Sequence, residues 1–205
     1  MPDVRDARGL IASRTLGGGR NFHVLDYRVS ANNLTPIMRG DLVELDAQGD
    51  VQKIRSLTTV ASRAPLGVVA YCLGADRRPL TFNQPTRGPY IPTSTDGYVG
   101  VYIDPGIIYN VQVDGTASRA NVGQYIGVTA GTGNTAAGYS TTQVRIADAV
   151  TTAVGHYLQV LGISPDELTD NYQGGATGVR NLEVRISRHV FNNESGGFTT
   201  AWTPA

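Results

Sequence analysis

The side chains best suited to metal ligation or to proton transfer near neutral pH are His23, His156 and His189. They lie far apart and none has a partner at zincin spacing, so no metal site is expected unless separate strands bring them together. Asp166, Glu167 and Asp170 cluster without the ligand spacing or central glycine of a calcium loop, and a solvated helix start accounts for them better. Asp26, Asp46, Asp104 and Asp114 could meet across a sheet as a glycosidase pair, but four aspartates at strand ends are also ordinary turn chemistry. No serine sits in the glycine-flanked setting of a hydrolase elbow.

Gly131-Thr132-Gly133-Asn134-Thr135-Ala136 has the spacing of a dinucleotide fingerprint, yet that chemistry needs a helix N-terminus behind the glycines. The chain continues Ala137-Gly138-Tyr139-Ser140, which predicts a loop. Gly17-Gly18-Gly19-Arg20 lacks the lysine and hydroxyl residue of a phosphate loop and reads as a hinge. Arg39-Gly40-Asp41 spells an integrin-type tripeptide; its expected role is a turn entering a strand at Leu42-Val43. Cys72, the single cysteine, lies in the apolar run 66–73 and is expected to be a buried small hydrophobe. These readings leave no catalytic residue, no cofactor and no metal site, so a non-enzymatic protein is expected.

The elements that must position these residues are strands. Ile107, Tyr109, Val111 and Val113 alternate with Ile108, Asn110, Gln112 and Asp114, the period-two pattern of a half-buried strand. Val99/Val101/Ile103, Val144/Ile146, Leu158/Val160 and Leu182/Val184/Ile186 read likewise. Turn-forming clusters separate them at Gln48-Gly49-Asp50, Asp104-Pro105-Gly106, Asp114-Gly115 and Gly131-Thr132-Gly133-Asn134. With 25 glycines and 10 prolines spread along the chain, no stretch sustains a helical period. One short helical turn is predicted at Ser164-Pro165-Asp166-Glu167, which has the residues of a capping box. Gly40-Asp41-Leu42-Val43-Glu44-Leu45-Asp46-Ala47 and Gly123-Gln124-Tyr125-Ile126-Gly127-Val128-Thr129-Ala130 share a pattern, taken as two strands entered by similar turns.

The expected fold class is therefore all-β: a compact barrel or sandwich body over residues 21–191, with a division into two β layers expected near 115. A flexible amino-terminal arm, 1–20, carries Arg5, Arg8, Arg14 and Arg20 and ends in three glycines. A carboxy-terminal tail, 192–205, carries Phe198 and Trp202 behind a glycine- and asparagine-rich linker. Lysine plus arginine and aspartate plus glutamate balance at 17 each with no basic stripe, so nucleic acid is not an expected partner. No apolar run approaches the ~20 residues of a membrane span, and Met1-Pro2-Asp3-Val4-Arg5-Asp6 is not followed by the apolar stretch of a leader. Lys53 is the lone lysine among arginines, a choice that favours partly buried, bidentate contacts at interfaces.

Gly40-Asp41-Leu42-Val43-Glu44-Leu45, a glycine turn at Gly49, and then Ala64-Pro65-Leu66-Gly67-Val68-Val69-Ala70 resemble the head decoration, or cement, proteins of tailed bacteriophages. In that family a strand beginning Gly-Asp-Leu-Val precedes a Leu-Gly-Val-Val strand, and the resemblance spans residues 38–113. It implies a homotrimer on the capsid exterior, made in the host cytoplasm and clamping neighbouring major capsid subunits. This chain is about twice as long as the smallest members, and the segment from Gly115 onward is an addition. Residues 1–20, through their four arginines, and the Phe198/Trp202 tail are the expected partner-binding parts. Two other readings are a carbohydrate- or receptor-binding module of a tail or fibre, with aromatics near Thr86-Arg87-Gly88-Pro89-Tyr90 and Tyr98, and a small trimeric enzyme. For the latter, Val101-Tyr102-Ile103-Asp104-Pro105-Gly106 is similar to a strand of the trimeric all-β dUTPases, whose other nucleotide-binding motifs have no counterpart here.

Overall fold

The computed structural model describes residues 8–54, 64–78, 90–151, 156–164 and 179–191. Alternating β-branched and polar residues form strands throughout, because a branched side chain fits a pleated, half-buried surface. In chain order these are β1 (Ile11–Thr15), β2 (Val24–Val29), β3 (Ile37–Met38), β4 (Leu42–Leu45), β5 (Val51–Lys53), β6 (Gly67–Leu73) and β7 (Tyr90–Ile91). They continue with β8 (Gly97–Tyr102), β9 (Ile107–Ala117), β10 (Tyr125–Thr129), β11 (Gln143–Val150), β12 (Leu158–Ile163) and β13 (Val179–Ile186). The one helical element among the described residues is a 3₁₀ turn at Arg119–Asn121, capped by the Ser118 and Asn121 side chains. Of the helical turn expected at 164–167, Pro165 to Glu167 lie outside the described residues. No helix among the described residues is long and apolar enough to cross a membrane.

The first half builds an antiparallel sheet in the order β2-β8-β6-β4-β5, and the small β3-β7 sheet packs on one of its faces. Val29, Ile37, Val43, Val69, Cys72, Ile91, Val99 and Val101 form the core between them. The second half closes into a five-stranded barrel, because β9-β11-β10-β12-β13 returns to β9. β9 is eleven residues long and serves three partners: β1 along Ile107–Asn110, β11 in parallel at Val113, and β13 on its other edge. Tyr109, Val111, Val113, Ile126, Val144, Leu158, Val160, Leu182, Val184 and Ile186 fill the barrel. Leu42, Ile54 and Val68 of the first half join that same core, so the two halves share apolar packing. Phe22 adds an edge-on contact to Tyr102, ring centres 5.5 Å apart.

Three expectations are corrected by this architecture. Asp114-Gly115 is not a turn: β9 runs through it to Ala117, and the Asp114 carboxylate accepts from the Ile146 amide at 3.1 Å instead of ending the strand. The boundary between the two β layers accordingly falls at the turn 103–106, where Asp104 accepts from the Gly106 amide, and not near 115. Nor is the whole of 1–20 a free arm. Leu10 is buried in the core, its amide donates to the Gly40 carbonyl, and Ile11–Thr15 adds to the sheet beside β9. The reason is apolar: Leu10 and Ala12 sit among the arginines with the period of a strand, and they reach the shared core.

The paired motif at Gly40 and Gly123 does mark equivalent strand entries. Both glycines hold φ near +86°, a conformation costly to a side chain, and β4 and β10 begin two residues later.

Candidate functional site

Among the described residues the most deeply buried ion pair joins Asp41 and Lys53. Asp41 is fully buried and the Lys53 side chain is 4 % exposed, with Nζ 2.8 Å from Asp41 Oδ1. Lys53 also donates to the Gly131 carbonyl at 2.7 Å. Asp41 accepts from the Met38 amide, from Ser140 Oγ and from Thr142 Oγ1, while Ser140 Oγ in turn accepts from the Thr142 amide. Burial pushes the Asp41 carboxyl above its ordinary range, against the opposing pull of Lys53 and of its other donors. A lysine, a serine and a carboxylate in contact have the ingredients of nucleophilic chemistry. Here all are shut off from solvent, and their hydrogen bonds tie β4 and β5 of the first sheet to the loop that feeds β11. The cluster is a rivet between the two halves.

The same geometry disposes of two sequence motifs. Asp41 of Arg39-Gly40-Asp41 is out of reach of any receptor, as its role in a strand-entry turn requires. Gly131-Thr132-Gly133-Asn134 is a loop with no helix behind it, closed by an Asn134–Tyr139 bridge and anchored by Lys53.

The candidate acid–base groups are likewise spoken for. Asp46 accepts from the Gln48 and Asp50 amides at 2.9 Å each, which makes the β4–β5 turn. Asp26 accepts from the Tyr71 hydroxyl at 2.8 Å. Among the described residues no three His, Cys, Asp or Glu side chains gather in a way that could hold a metal ion. His23 is exposed and His189 is 1 % exposed, its Nδ1 accepting from the Phe191 amide at 3.1 Å. Burial pushes His189 down to about 4, although Asp104 and the Leu66 backbone act the other way. Cys72 is buried as expected, its thiol pushed up to about 12 chiefly by burial.

Of the residues expected to bind a partner, the described ones are Arg8, Arg14 and Arg20, and each has different surroundings. Arg14 forks onto Glu183 of β13 with contacts of 2.6 and 2.8 Å, which consumes it inside the fold. Arg8 lies over the Tyr139 ring at 6.0 Å, and Arg20 is exposed. Arg5, Phe198 and Trp202 lie outside the described residues. What β1 does offer is an edge: it ends its sheet, with Ile11 and Leu16 among the exposed large apolar side chains of the protein.

One surface feature was not legible in the sequence. Pairing of β6 with β8 shifts register between Val69 and Tyr71, so Val69 and Cys72 both face the core although they stand three positions apart. This bulge turns Tyr71 onto the outer face, where its ring lies against Gly100; a Cβ at that glycine would sit 2.3–2.6 Å from three ring carbons. Tyr71 remains 42 % exposed. In the neighbouring row Arg28 pairs in register with Tyr98, and the Arg77 guanidinium stacks on Tyr98 at 4.4 Å. The only sequence signal was the unexplained glycine in Tyr98-Val99-Gly100-Val101.

Compared with models of protein families, with curated proteins and with solved structures, the chain matches none.

Proposed function

We propose that this chain is a structural virion protein that decorates and stabilises the outer surface of a bacteriophage capsid, binding major capsid subunits as an oligomer, with a homotrimer as the favoured state. The observation that carries this reading is the pairing of its two family-like segments. The Gly-Asp-Leu-Val strand β4 and the Leu-Gly-Val-Val strand β6 are antiparallel neighbours, Leu42 opposite Val68 and Val43 opposite Gly67. The glycine-led spacing thus serves one continuous sheet, which supports the reading. Among the described residues no strand pairs with the outer edge of β1, and that edge, with Ile11 and Leu16 beside it, supports adhesion by strand addition or apolar contact. The buried Asp41–Lys53 rivet supports a body built to stay rigid under load.

The test is to mix the purified protein with expanded, undecorated capsids and count bound copies, with light scattering of the free protein giving its oligomeric state. Saturation at a number set by capsid symmetry supports the reading, and absence of binding sinks it. Because Leu10 and Arg14 belong to the body, the arm's share in docking is tested by removing residues 1–7 alone. Retention of full binding by that truncation returns the docking role to the body.

A further inference from the structure

We propose that the outer face of the β2-β8-β6 sheet is a binding platform for a pyranose ring, centred on Tyr71. Three features of the surface fit a sugar. First, Tyr71 presents an open aromatic face backed by Gly100, and the axial C–H face of a pyranose packs on such a ring with apolar and weak hydrogen-bonding contacts. Second, the ring is already fixed. Its hydroxyl donates to Asp26 Oδ1 at 2.8 Å and its underside rests on the strand, so little side-chain freedom remains to be lost on binding. Third, groups suited to sugar hydroxyls stand beside the ring. Asp26 lies opposite Gly100 in register and keeps Oδ2 as an acceptor, while Arg28, two residues along β2 on the same face, supplies donors.

The local charge argues against a nucleic acid stacking there instead. Arg28 is matched by Asp96 at 3.2 Å and Asp50 at 3.6 Å, and Arg78 by Asp76 at 3.5 Å; with Arg77 on Tyr98 and Asp26 beside Tyr71 counted too, three arginines face four aspartates, which leaves no surplus positive charge to hold a phosphate backbone. The bulge between Val69 and Tyr71 is a further pointer. Without it Tyr71 would share the core-facing side with Val69; with it the aromatic ring is placed in solvent, a use bulges often have beside binding sites. The inference stands on this sheet face alone and does not require the capsid reading.

The experiment is a printed array of bacterial cell-wall, capsular and lipopolysaccharide glycans probed with the full chain, then calorimetric titration of the best-bound glycan. Tyr71→Leu keeps Gly100 covered while removing the aromatic face, and Tyr71→Phe keeps the face while removing the bond to Asp26. The expected result is binding to at least one glycan, reduced about tenfold or more by Tyr71→Leu and largely retained by Tyr71→Phe. A silent array, or equal binding by Tyr71→Leu with an unchanged urea midpoint, overturns the proposal. So does binding at Tyr71 of a single-stranded oligonucleotide but no glycan. Capsid decoration by Tyr71→Leu should equal that of the unaltered chain, so failure of one reading does not touch the other.

Discussion

Replacing Lys53 by methionine is the sharpest probe of what joins the two halves. The substitution keeps an unbranched apolar stem of four heavy atoms and removes the ammonium from a pair whose members are 4 % and 0 % exposed. Asp41 would keep its bonds from the Met38 amide, Ser140 and Thr142, but the compensating charge would be gone and the Gly131 carbonyl would lose its donor. Breaking a buried pair from one side costs about 3–5 kcal/mol. At about 2–4 °C per kcal/mol for a chain of this size, the melting temperature should drop by about 6–20 °C. Burial already raises Asp41, so the folded state holds its proton more readily than the unfolded one, and that group's contribution falls as pH rises through its folded pKa. Without Lys53 the rise is larger. The stability gap between Lys53→Met and the unaltered chain should therefore narrow as pH falls from 7 to 5. Urea unfolding at both pH values measures it, with Asp41→Asn/Lys53→Met as the neutral counterpart, expected to be more stable than Lys53→Met alone. A loss below about 1 kcal/mol, the range of exposed ion pairs, would refute the rivet, as would a gap that is indifferent to pH.

Three further outcomes follow from the same geometry. His189 is neutral in the fold and held at about 4, below its ordinary value, so its contribution is complete above about pH 6.5 and is lost as pH falls towards 4. Protonation of Nδ1 would set two donors face to face at Phe191, and the loss, up to about 3 kcal/mol, should appear in urea unfolding of the unaltered chain between pH 6.5 and 4 and be missing from His189→Gln; parallel curves for the two would refute the assignment. Arg14→Ala should cost about 1–3 kcal/mol, since it strands a Glu183 carboxylate whose side chain is 7 % exposed; an unchanged urea midpoint would mean that β1 is held by its backbone alone. Cys72 should resist a disulfide reagent at pH 8 in the folded protein and react at once in denaturant, because its thiol is buried and pushed up to about 12. Rapid labelling of the folded protein would count against the packing of Cys72 between β3 and β8.

Fold class and most of the strands are legible in the sequence, because a core-facing side chain every second residue leaves a local record. Ile107 to Val113 and Leu182 to Ile186 carry that record plainly, and Gly40 and Gly123 mark their strand entries by a backbone conformation that few other residues tolerate. What the tertiary structure decided are pairings between residues distant in the chain, which leave no local trace. That Arg14 is spent on Glu183, that Lys53 reaches Asp41 and Gly131, and that β9 continues through Asp114-Gly115 all depend on which strands lie side by side. Tyr71 shows the limit most clearly. Its alternation with Val69 assigns it to the core, and only the extra residue in β6, set by the register against β8, turns it outward over Gly100.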